Sequence, residues 1–335
     1  MIFDKSAFQS FSRNELFWIR TYYYLNFPPV LKSEILGDLK KKTKLRSPEE
    51  EVQILASKMT MSDSFINAPY QKLVLFSFLG CIVNMGRRTI VDNFQKFKTR
   101  DGKGCIYIDL TPECRTIFRW QAGKFNKNEK FFAASWRENT RRIDIDTYKK
   151  KLLQYHVIIP KADNFIELKN VVNRLFRNPH LQIVFAELLI DHLNIPKNIK
   201  HQIQERWFMI KPEYLKKFAP YANYCARVYF TFLAGLSCGL INAQPKNRID
   251  IQYFFYIPFC NVFCSDDHLH KNLADHFLEE DQTFIEGKVL KEDIRNIMKI
   301  KENQKKKNKQ NKLSPPHNEN SITYQLWKKN LLKKN

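Results

Sequence analysis

The sequence predicts an α/β fold in which segments from the two ends of the chain form one parallel sheet. Two apolar runs suggest its strands: Met1–Phe3 ends at Asp4, and the β-prone run Asn261–Cys264 leads into Ser265-Asp266-Asp267. Most of the chain between them has apolar residues at helical spacing. Sites in open α/β sheets form at the carboxyl ends of strands, so we expect both acidic strand ends to belong to one site.

The predicted domain organisation is discontinuous. Residues 1–44 and 245–300 form the α/β core, and residues 45–244 form a large, mainly α-helical insertion. Residues 301–335 form a basic tail of low complexity, which we expect to be disordered. A short helix around Trp327 could dock on a partner or back on the body.

Composition favours a polyanionic partner. The chain has 56 Lys and Arg residues against 34 Asp and Glu residues, which is a formal net charge of +22. Such an excess of positive charge favours nucleic acid first and an anionic membrane surface second.

The cysteines and the apolar windows predict a cytoplasmic protein without a membrane span. None of the seven cysteines forms a CxxC pair, and Cys260 and Cys264 have no second pair at zinc-site spacing, so we expect reduced thiols. Met1–Phe3 runs into an acid without the pattern of a secretory signal. The window Tyr224–Ala243 is interrupted by Arg227 and two glycines, which favours a buried helix.

The first helices follow from capping and periodicity. Ser12 or Asn14 can cap a helix that runs to Tyr24. A second helix over residues 31–39 has apolar residues on one face, and Glu34 lies one step from that stripe, where it can face the rim of the sheet.

A late segment supplies further acids. Asp250 precedes the apolar run Ile251–Ile257, where a carboxylate suits the unpaired N–H groups of a helix start, and Pro258 ends that helix. Asp267 follows Asp250 by about seventeen residues. Carboxylates that converge repel one another and lose hydration, so they persist mainly beside a hard cation such as Mg²⁺ or Mn²⁺. The alternative is a helix cap followed by a solvated turn.

Four acidic motifs follow one another along the chain. They are Asp4-x-Ser6 after the first strand, Glu34 on a helix after a proline-rich turn, Asp250 opening a late helix, and Ser265-x-Asp267 after a core strand. This set resembles the PIN-like nuclease superfamily, over about the first forty residues and fifty to sixty residues near the end of the core. The resemblance implies a three-layer PIN-like core and an endonuclease that hydrolyses phosphodiester bonds, most often of RNA, leaving a 5′ phosphate and a 3′ hydroxyl.

The resemblance also implies roles for individual side chains. The carboxylates that hold Mg²⁺ or Mn²⁺ and act in catalysis are Asp4, Glu34, Asp250 and Asp267. Asp266 is an alternative metal ligand beside Asp267, and Ser6 and Ser265 orient the acids. Typical members of the family are much shorter than this chain, so the resemblance leaves the substrate and its regulation undefined.

Cations and aromatic residues alternate between Arg115 and Arg142. Guanidinium groups can bind phosphates while exposed rings stack on unpaired bases. The candidate nucleic-acid contacts are Arg119, Trp120, Arg137, Arg141 and Arg142. The alternative is a set of amphipathic helices with their aromatic residues in the core.

Other side chains compete for roles in the site. Asp109 ends another short strand and is a rival for the first acid. Glu187 resembles the helical glutamate, but no strand-acid motif precedes it at a suitable distance. His268 and His270 could contact a phosphate or a metal, or could be surface residues or residues behind the acids.

The function that the sequence favours is therefore a metal-dependent ribonuclease. The chain contains neither a glycine-rich phosphate loop nor a GxSxG elbow, which argues against nucleotide triphosphate chemistry and serine hydrolysis. The alternative is a non-catalytic protein with a degenerate PIN-like core that binds nucleic acid or a protein partner such as an antitoxin.

Overall fold

The computed structural model describes most of the chain. It covers residues 1–41, 45–59, 64–91, 94–98, 104–108, 112–139, 150, 152–307 and 318–332. Within these ranges, no helix combines the length and the apolar character needed to cross a membrane.

Seven strands lie in the described ranges, and five of them form a sheet whose strands are all parallel. The strands are β1 (Ile2–Phe3), β2 (Leu25–Phe27), β3 (Ser64–Ile66), β4 (Phe94–Lys98), β5 (Gly104–Ile108), β6 (Val262–Cys264) and β7 (Thr283–Ile285). The order in the sheet is β3-β2-β1-β6-β7, while β4 and β5 form a separate antiparallel pair. The predicted α/β class with a parallel sheet from both ends of the chain is confirmed.

The strand order reverses between β1 and β6. These two strands pair directly, with Ile2 opposite Phe263 and Phe3 opposite Cys264. Ligands of open α/β sheets bind at such a switch point, in the crevice beyond the carboxyl ends of the strands. The residues that follow β1 and β6 therefore occupy the position where a site is expected.

Helices account for most of the remaining described structure. They are α1 (Lys5–Ser10), α2 (Arg13–Arg20), α3 (Pro29–Gly37), α4 (Pro48–Ala56), α5 (Tyr70–Phe78), α6 (Pro112–Gln121), α7 (Lys127–Asn139), α8 (Phe165–Phe176), α9 (Gln182–His192), α10 (Lys197–Ile210), α11 (Leu215–Phe218), α12 (Pro220–Ser237), α13 (Pro245–Phe254), α14 (His268–Phe277), α15 (Gly287–Lys307) and α16 (Ile322–Leu332). Of the two predicted caps, Ser12 and Asn14, it is Ser12 that caps α2, in a capping box with Glu15, and the helix ends at Arg20, before the predicted end at Tyr24.

The predicted start of the late helix was wrong. α13 begins at Pro245, a residue type that suits the first position of a helix, and Asp250 lies in its second turn. The helix ends at Phe254, and Pro258 belongs to a separate 3₁₀ turn over Ile257–Phe259. Asp250 is thus presented from the side of a helix and does not cap its amino end.

The predicted boundary between core and insertion also needs correction. β3 pairs with β2 inside the central sheet, although it lies within the segment 45–244. The insertion shares one core with the sheet: Tyr221 of α12 donates a hydrogen bond to the Phe255 carbonyl at 2.9 Å, and Tyr70 stacks on Phe255 at 4.2 Å between ring centroids. α12 covers most of the long apolar window and is buried, as predicted.

Part of the predicted tail is folded. α15 continues to Lys307, and α16 packs on the body of the protein. The Tyr23 hydroxyl donates to the Thr323 carbonyl at 3.1 Å, and Tyr22 meets Trp327 edge-on at 6.0 Å. The lysine-rich composition predicted disorder, but the aromatic residues of α16 bury enough apolar surface to order this helix.

Candidate active site

Asp4 lies at the carboxyl end of β1, where it caps α1. Its Oδ1 accepts a hydrogen bond from the Ala7 N–H at 2.9 Å, and its Oδ2 accepts from the hydroxyls of Ser6 and Ser265 at 2.7 and 2.8 Å. Only 4% of Asp4 is exposed. Because β1 and β6 are neighbours, the polar residues that follow the two strands meet at the switch point.

His270 of α14 completes a buried network behind Asp4. Its Nδ1 lies 2.7 Å from Ser265 Oγ and 3.6 Å from Asp4 Oδ2, and its Nε2 lies 2.8 Å from the Asp250 carbonyl oxygen. A carbonyl only accepts, so Nε2 carries a proton. The Ser265 hydroxyl gives its single proton to Asp4, so Nδ1 also donates. This set of partners favours a doubly protonated, cationic imidazolium.

The charges of Asp4 and His270 stabilise each other. Burial acts to raise the pKa of Asp4, but the positive charge of His270 and the hydrogen bond from Ser6 hold this pKa below its ordinary value. Burial acts to lower the pKa of His270, but the Asp4 carboxylate outweighs burial and the pKa is raised. Asp4 thus has a buried cationic partner within the protein.

The Asp4–Ser265–His270 network does not have the geometry of a serine nucleophile. In such a site, the serine donates to the histidine and an acid orients the second ring nitrogen. Here Ser265 donates to the acid, and the second ring nitrogen bonds a backbone carbonyl. Ser265 and His270 are also fully buried, so neither side chain is open to a substrate.

Glu34 reaches the same region from α3. The Tyr253 hydroxyl of α13 donates to Glu34 Oε2, and Lys5 Nζ donates to the Glu34 backbone carbonyl at 3.1 Å. Burial raises the pKa of Glu34 to about 7, and the nearby negative charges of Asp250 and Asp4 act in the same direction. Glu34 therefore changes its protonation near neutral pH.

Asp250 is the candidate acid with the fewest partners. Its Oδ2 is buried and accepts no hydrogen bond from any described residue. Burial raises the pKa of Asp250 to about 6, and the carboxylates of Asp267 and Asp4 add to this effect, although His270 and Lys246 oppose it. A buried carboxylate oxygen without a donor is a position that a cation would stabilise.

The two acids that follow β6 face different neighbours. Asp267 caps α14 by accepting from the Leu269 N–H at 2.7 Å, and its Oδ2 lies 3.6 Å from Lys246 Nζ. Asp266 is exposed and accepts from the Lys288 N–H at 3.1 Å, at the start of α15. Asp267 adds its charge to the candidate site, whereas Asp266 accepts a hydrogen bond at the start of another helix, α15. Asp266 is thus directed to the start of α15, and its role as an alternative metal ligand stays a prediction.

The donor set suits a hard, well-hydrated cation. All four donors are carboxylates, and Asp250 Oδ2 is an acceptor still without a partner. In the part of the chain that the structure describes, no three His, Cys, Asp or Glu side chains form a ready metal-binding group. Mg²⁺ does not require one, because it usually keeps several waters and binds one or two carboxylates plus substrate phosphates. The residues present therefore fit Mg²⁺ or Mn²⁺ bound largely through water.

A cleft of about 330 Å³ adjoins the acids. Its lining residues are Lys5, Glu34, Gly37, Asp38, Lys41, Trp136, Pro245, Lys246 and Ile249. Trp136 of α7 packs on Gly37, where a Cβ would lie 2.8 Å from Trp136 Cδ1, so glycine leaves the room that the indole needs. Lys41 is exposed and forms no ion pair with a described residue. The cleft thus combines lysines, a half-buried indole and one of the candidate acids.

The structure changes the predicted nucleic-acid contacts. Trp120 is fully buried, so its ring cannot stack on a base, and its assignment as a nucleic-acid contact was wrong. Its position fits the alternative of an amphipathic helix with its aromatic residues in the core. Arg119 forms an ion pair with Glu129. Arg137 lies in α7, while Arg141 and Arg142 fall outside the described residues.

Glu187, one of the rival acids, does not join the candidate site. Glu187 of α9 pairs with Lys200 of α10, which satisfies its charge within the helical part of the protein. Asp109 falls outside the described residues. His268 is exposed, unlike its buried neighbour His270.

Sequence reasoning missed Lys5 and Tyr253 as residues of the site, and it placed Trp136 only in the basic, aromatic segment and not beside the acids. Tyr253 lies three positions after Asp250 on the same side of a helix, and Lys5 directly follows the first acid, so both had a signal in the sequence. The position of Trp136 had none, because only the packing of α7 on α3 brings it to the cleft.

Comparisons of the chain with protein-family models, with curated proteins and with solved structures gave no match.

Proposed function

We propose that this protein is a metal-dependent endonuclease that hydrolyses phosphodiester bonds, with RNA as the preferred substrate, on a PIN-like α/β core. The observation that carries the proposal is that four carboxylates from separate parts of the chain lie near enough to the switch point of a parallel sheet to influence one another's pKa in pairs. Asp4 and Asp250 both act on the pKa of Glu34, and Asp267 and Asp4 both act on that of Asp250. Buried carboxylates that raise the pKa of Glu34 and Asp250 are costly for the fold, which favours a function for them.

Asp250 would hold the cation directly through its unpartnered Oδ2, with Glu34 and Asp267 contributing through bound water. Mg²⁺ or Mn²⁺ at this position supplies a water of lowered pKa and neutralises charge on the phosphate. Asp4 is already paired with His270, so its role is to fix the geometry of the two strand ends. Glu34 has a pKa of about 7, which suits a group that accepts a proton near neutral pH.

The cleft beside the acids supports a single strand of nucleic acid as the substrate. Lys41 and Lys246 are exposed cations at its rim, and the Trp136 ring can stack on an unpaired base. A duplex keeps its bases paired and stacked, so it could use only the lysines. The net charge of +22 adds a long-range attraction for a polyanion.

The test is cleavage of an end-labelled, single-stranded RNA by the full chain. We expect cleavage with Mg²⁺ or Mn²⁺, no cleavage in EDTA, and recovery when the metal is restored. Asp250→Asn should abolish cleavage, whereas the matched control Asp275→Asn, an exposed acid on α14, should retain it. Cleavage by the Asp250→Asn variant at the wild-type rate would contradict the proposal. A DNA strand of the same sequence tests the preference for RNA.

One observation favours a second candidate, a non-catalytic nucleic-acid-binding protein. Both oxygens of Asp4 are already hydrogen-bonded, and no described group of three side chains is ready to bind a metal. Such a protein would bind the labelled RNA equally well with EDTA or Mg²⁺ and would never cleave it. A binding isotherm measured beside the cleavage assay separates the two candidates.

A further inference from the structure

A second cleft, here called the amino-edge cleft, lies at the edge of the sheet opposite the acids. Its volume is about 500 Å³, and its lining includes Tyr24 and Asn261, which precede β2 and β6. Asp4 and Ser265 instead follow β1 and β6. Since a strand rises about 3.3 Å per residue, the step from Asn261 to Ser265 spans roughly 13 Å. The two clefts are therefore separate.

Aromatic rings form part of the wall of the amino-edge cleft. Tyr24 is 70% exposed and contacts Phe65 at 5.9 Å between ring centroids. Tyr22 and Trp327 also line the cleft and meet edge-on at 6.0 Å. An exposed ring beside other rings is a stacking surface for a planar group.

Two arginines, Arg87 and Arg88, line the same cleft. The Arg87 guanidinium pairs with Glu279 at 2.5 Å and with Asp281 at 2.9 Å. The backbone N–H of Arg87 donates to the Pro258 carbonyl at 3.0 Å. These contacts hold Arg87 at a φ of 61°, a left-handed conformation that residues other than glycine seldom adopt outside functional sites and tight turns. The next residue, Arg88, is exposed and has no ion pair with a described residue. Arg87 thus fixes the turn, and the Arg88 guanidinium remains available for an anion.

Asn26 adds an acceptor without a donor. Its Nδ2 donates to the Phe259 carbonyl at 3.1 Å, which leaves Oδ1 as the acceptor. Asn26 is 2% exposed, lines the cleft, and its Oδ1 has no hydrogen-bond partner in the described structure. A buried acceptor without a donor is costly, and the amino or ring N–H edge of a nucleobase would supply the missing donor.

We propose that the amino-edge cleft binds a nucleotide. The base stacks on Tyr24 with its N–H edge towards Asn26, and the phosphate pairs with Arg88. The volume lies within the range of small-molecule sites. The nucleotide is either free in solution or the terminal nucleotide of a strand, because both present the same ring and phosphate.

The test is calorimetric titration of the full chain carrying Asp250→Asn, in EDTA, with AMP, adenosine and inorganic phosphate as probes. We expect AMP to bind about tenfold more tightly than adenosine, because only AMP engages the guanidinium. Arg88→Gln should remove the difference between the two, and Tyr24→Leu should weaken both by about tenfold. The matched control Arg174→Gln, which removes the same charge from an exposed position on α8, should leave AMP binding unchanged.

Three outcomes overturn the proposal. The first is that AMP shows no saturable binding at millimolar concentration. The second is that Arg88→Gln binds AMP as tightly as the wild type, and the third is that the control Arg174→Gln weakens AMP binding as much as Arg88→Gln does. Circular dichroism of each variant checks that it is folded. Competition with an RNA tetranucleotide then identifies the source of the ligand. Displacement of labelled AMP indicates a strand end, and no displacement indicates a free nucleotide; both support the cleft as a nucleotide site.

Discussion

His270 Nδ1 lies 3.6 Å from Asp4 Oδ2, and the Ser265 hydroxyl bridges the two side chains. This buried ion pair divides the four candidate acids into two kinds. Asp4 is neutralised within the protein, whereas Asp250 has a buried oxygen without a partner. Substitution of Asp4 and of Asp250 should therefore change the free energy of unfolding differently, even though both acids are expected to be necessary for cleavage.

Replacing each of these acids by asparagine tests that division. Asp4→Asn should lower the free energy of unfolding by about 3 kcal/mol, because it leaves the His270 imidazolium buried without its partner. Asp250→Asn should leave stability unchanged or increase it, because it removes a carboxylate that is repelled by its neighbours. Chemical denaturation in EDTA measures both, with Asp275→Asn as the control. Equal destabilisation by the two substitutions would contradict the proposed pairing.

The metal-free protein should lose stability as the pH rises from about 4 to about 7. Burial raises the pKa of Asp250 from 3.8 to about 6 and that of Glu34 from 4.5 to about 7. Folded-state values above the unfolded values mean that the fold favours the protonated acids, so their contribution is lost as they ionise. For Asp250 the loss is up to about 3 kcal/mol. Unfolding free energies across this range should fall less steeply for Asp250→Asn than for the wild type.

Binding of Mg²⁺ should offset this loss. At pH 7.5 we expect Mg²⁺ at about one hundred times its dissociation constant to increase the free energy of unfolding by about 2.7 kcal/mol. Asp250→Asn should show little increase, whereas Asp275→Asn should respond like the wild type. Thermal unfolding at several Mg²⁺ concentrations measures the effect. An equal rise in Tm for the Asp250→Asn variant would mean that the cation binds elsewhere.

His270 should contribute a separate pH dependence. Its pKa is raised in the folded protein, because the Asp4 carboxylate outweighs burial. The stability that it contributes is therefore complete below its unfolded pKa of about 6.5 and is lost as the pH rises through the folded value. His270→Gln should be less stable than the wild type at pH 6, and the difference should shrink above pH 6.5. A difference that is constant with pH would show that the role of His270 is steric.

The two tryptophans of the basic, aromatic segment should respond in opposite ways. Trp136→Ala should weaken the binding of a single-stranded oligonucleotide by about 1–3 kcal/mol, because it removes a stacking surface. It should cost less stability than Trp120→Ala, because the Trp136 indole is only half-buried. Trp120→Ala should lower the free energy of unfolding by about 3–5 kcal/mol, because the indole is fully buried. Fluorescence anisotropy and denaturation together measure both effects. Unchanged affinity in Trp136→Ala would remove the cleft from the substrate path.

Local patterns in the chain were sufficient to predict much of the fold. The strands at Ile2–Phe3 and Val262–Cys264, the cap at Ser12 and the burial of α12 each depend on short-range periodicity or on hydrogen bonds between near neighbours. The acids that end the two strands could be chosen for the same reason, since the residue after a strand in a parallel sheet lies at its carboxyl edge.

Only the tertiary structure decided how those acids are partnered. The pairing of His270 with Asp4, the approach of Tyr253 to Glu34 and the position of Trp136 over Gly37 join residues from different parts of the fold. Asp266 and Asp267 are adjacent residues of the same type, yet Asp266 accepts a hydrogen bond at the start of α15 and Asp267 adds its charge to the site. Charge and burial at a site depend on which elements pack together, and that packing is not contained in the local pattern of any one of them.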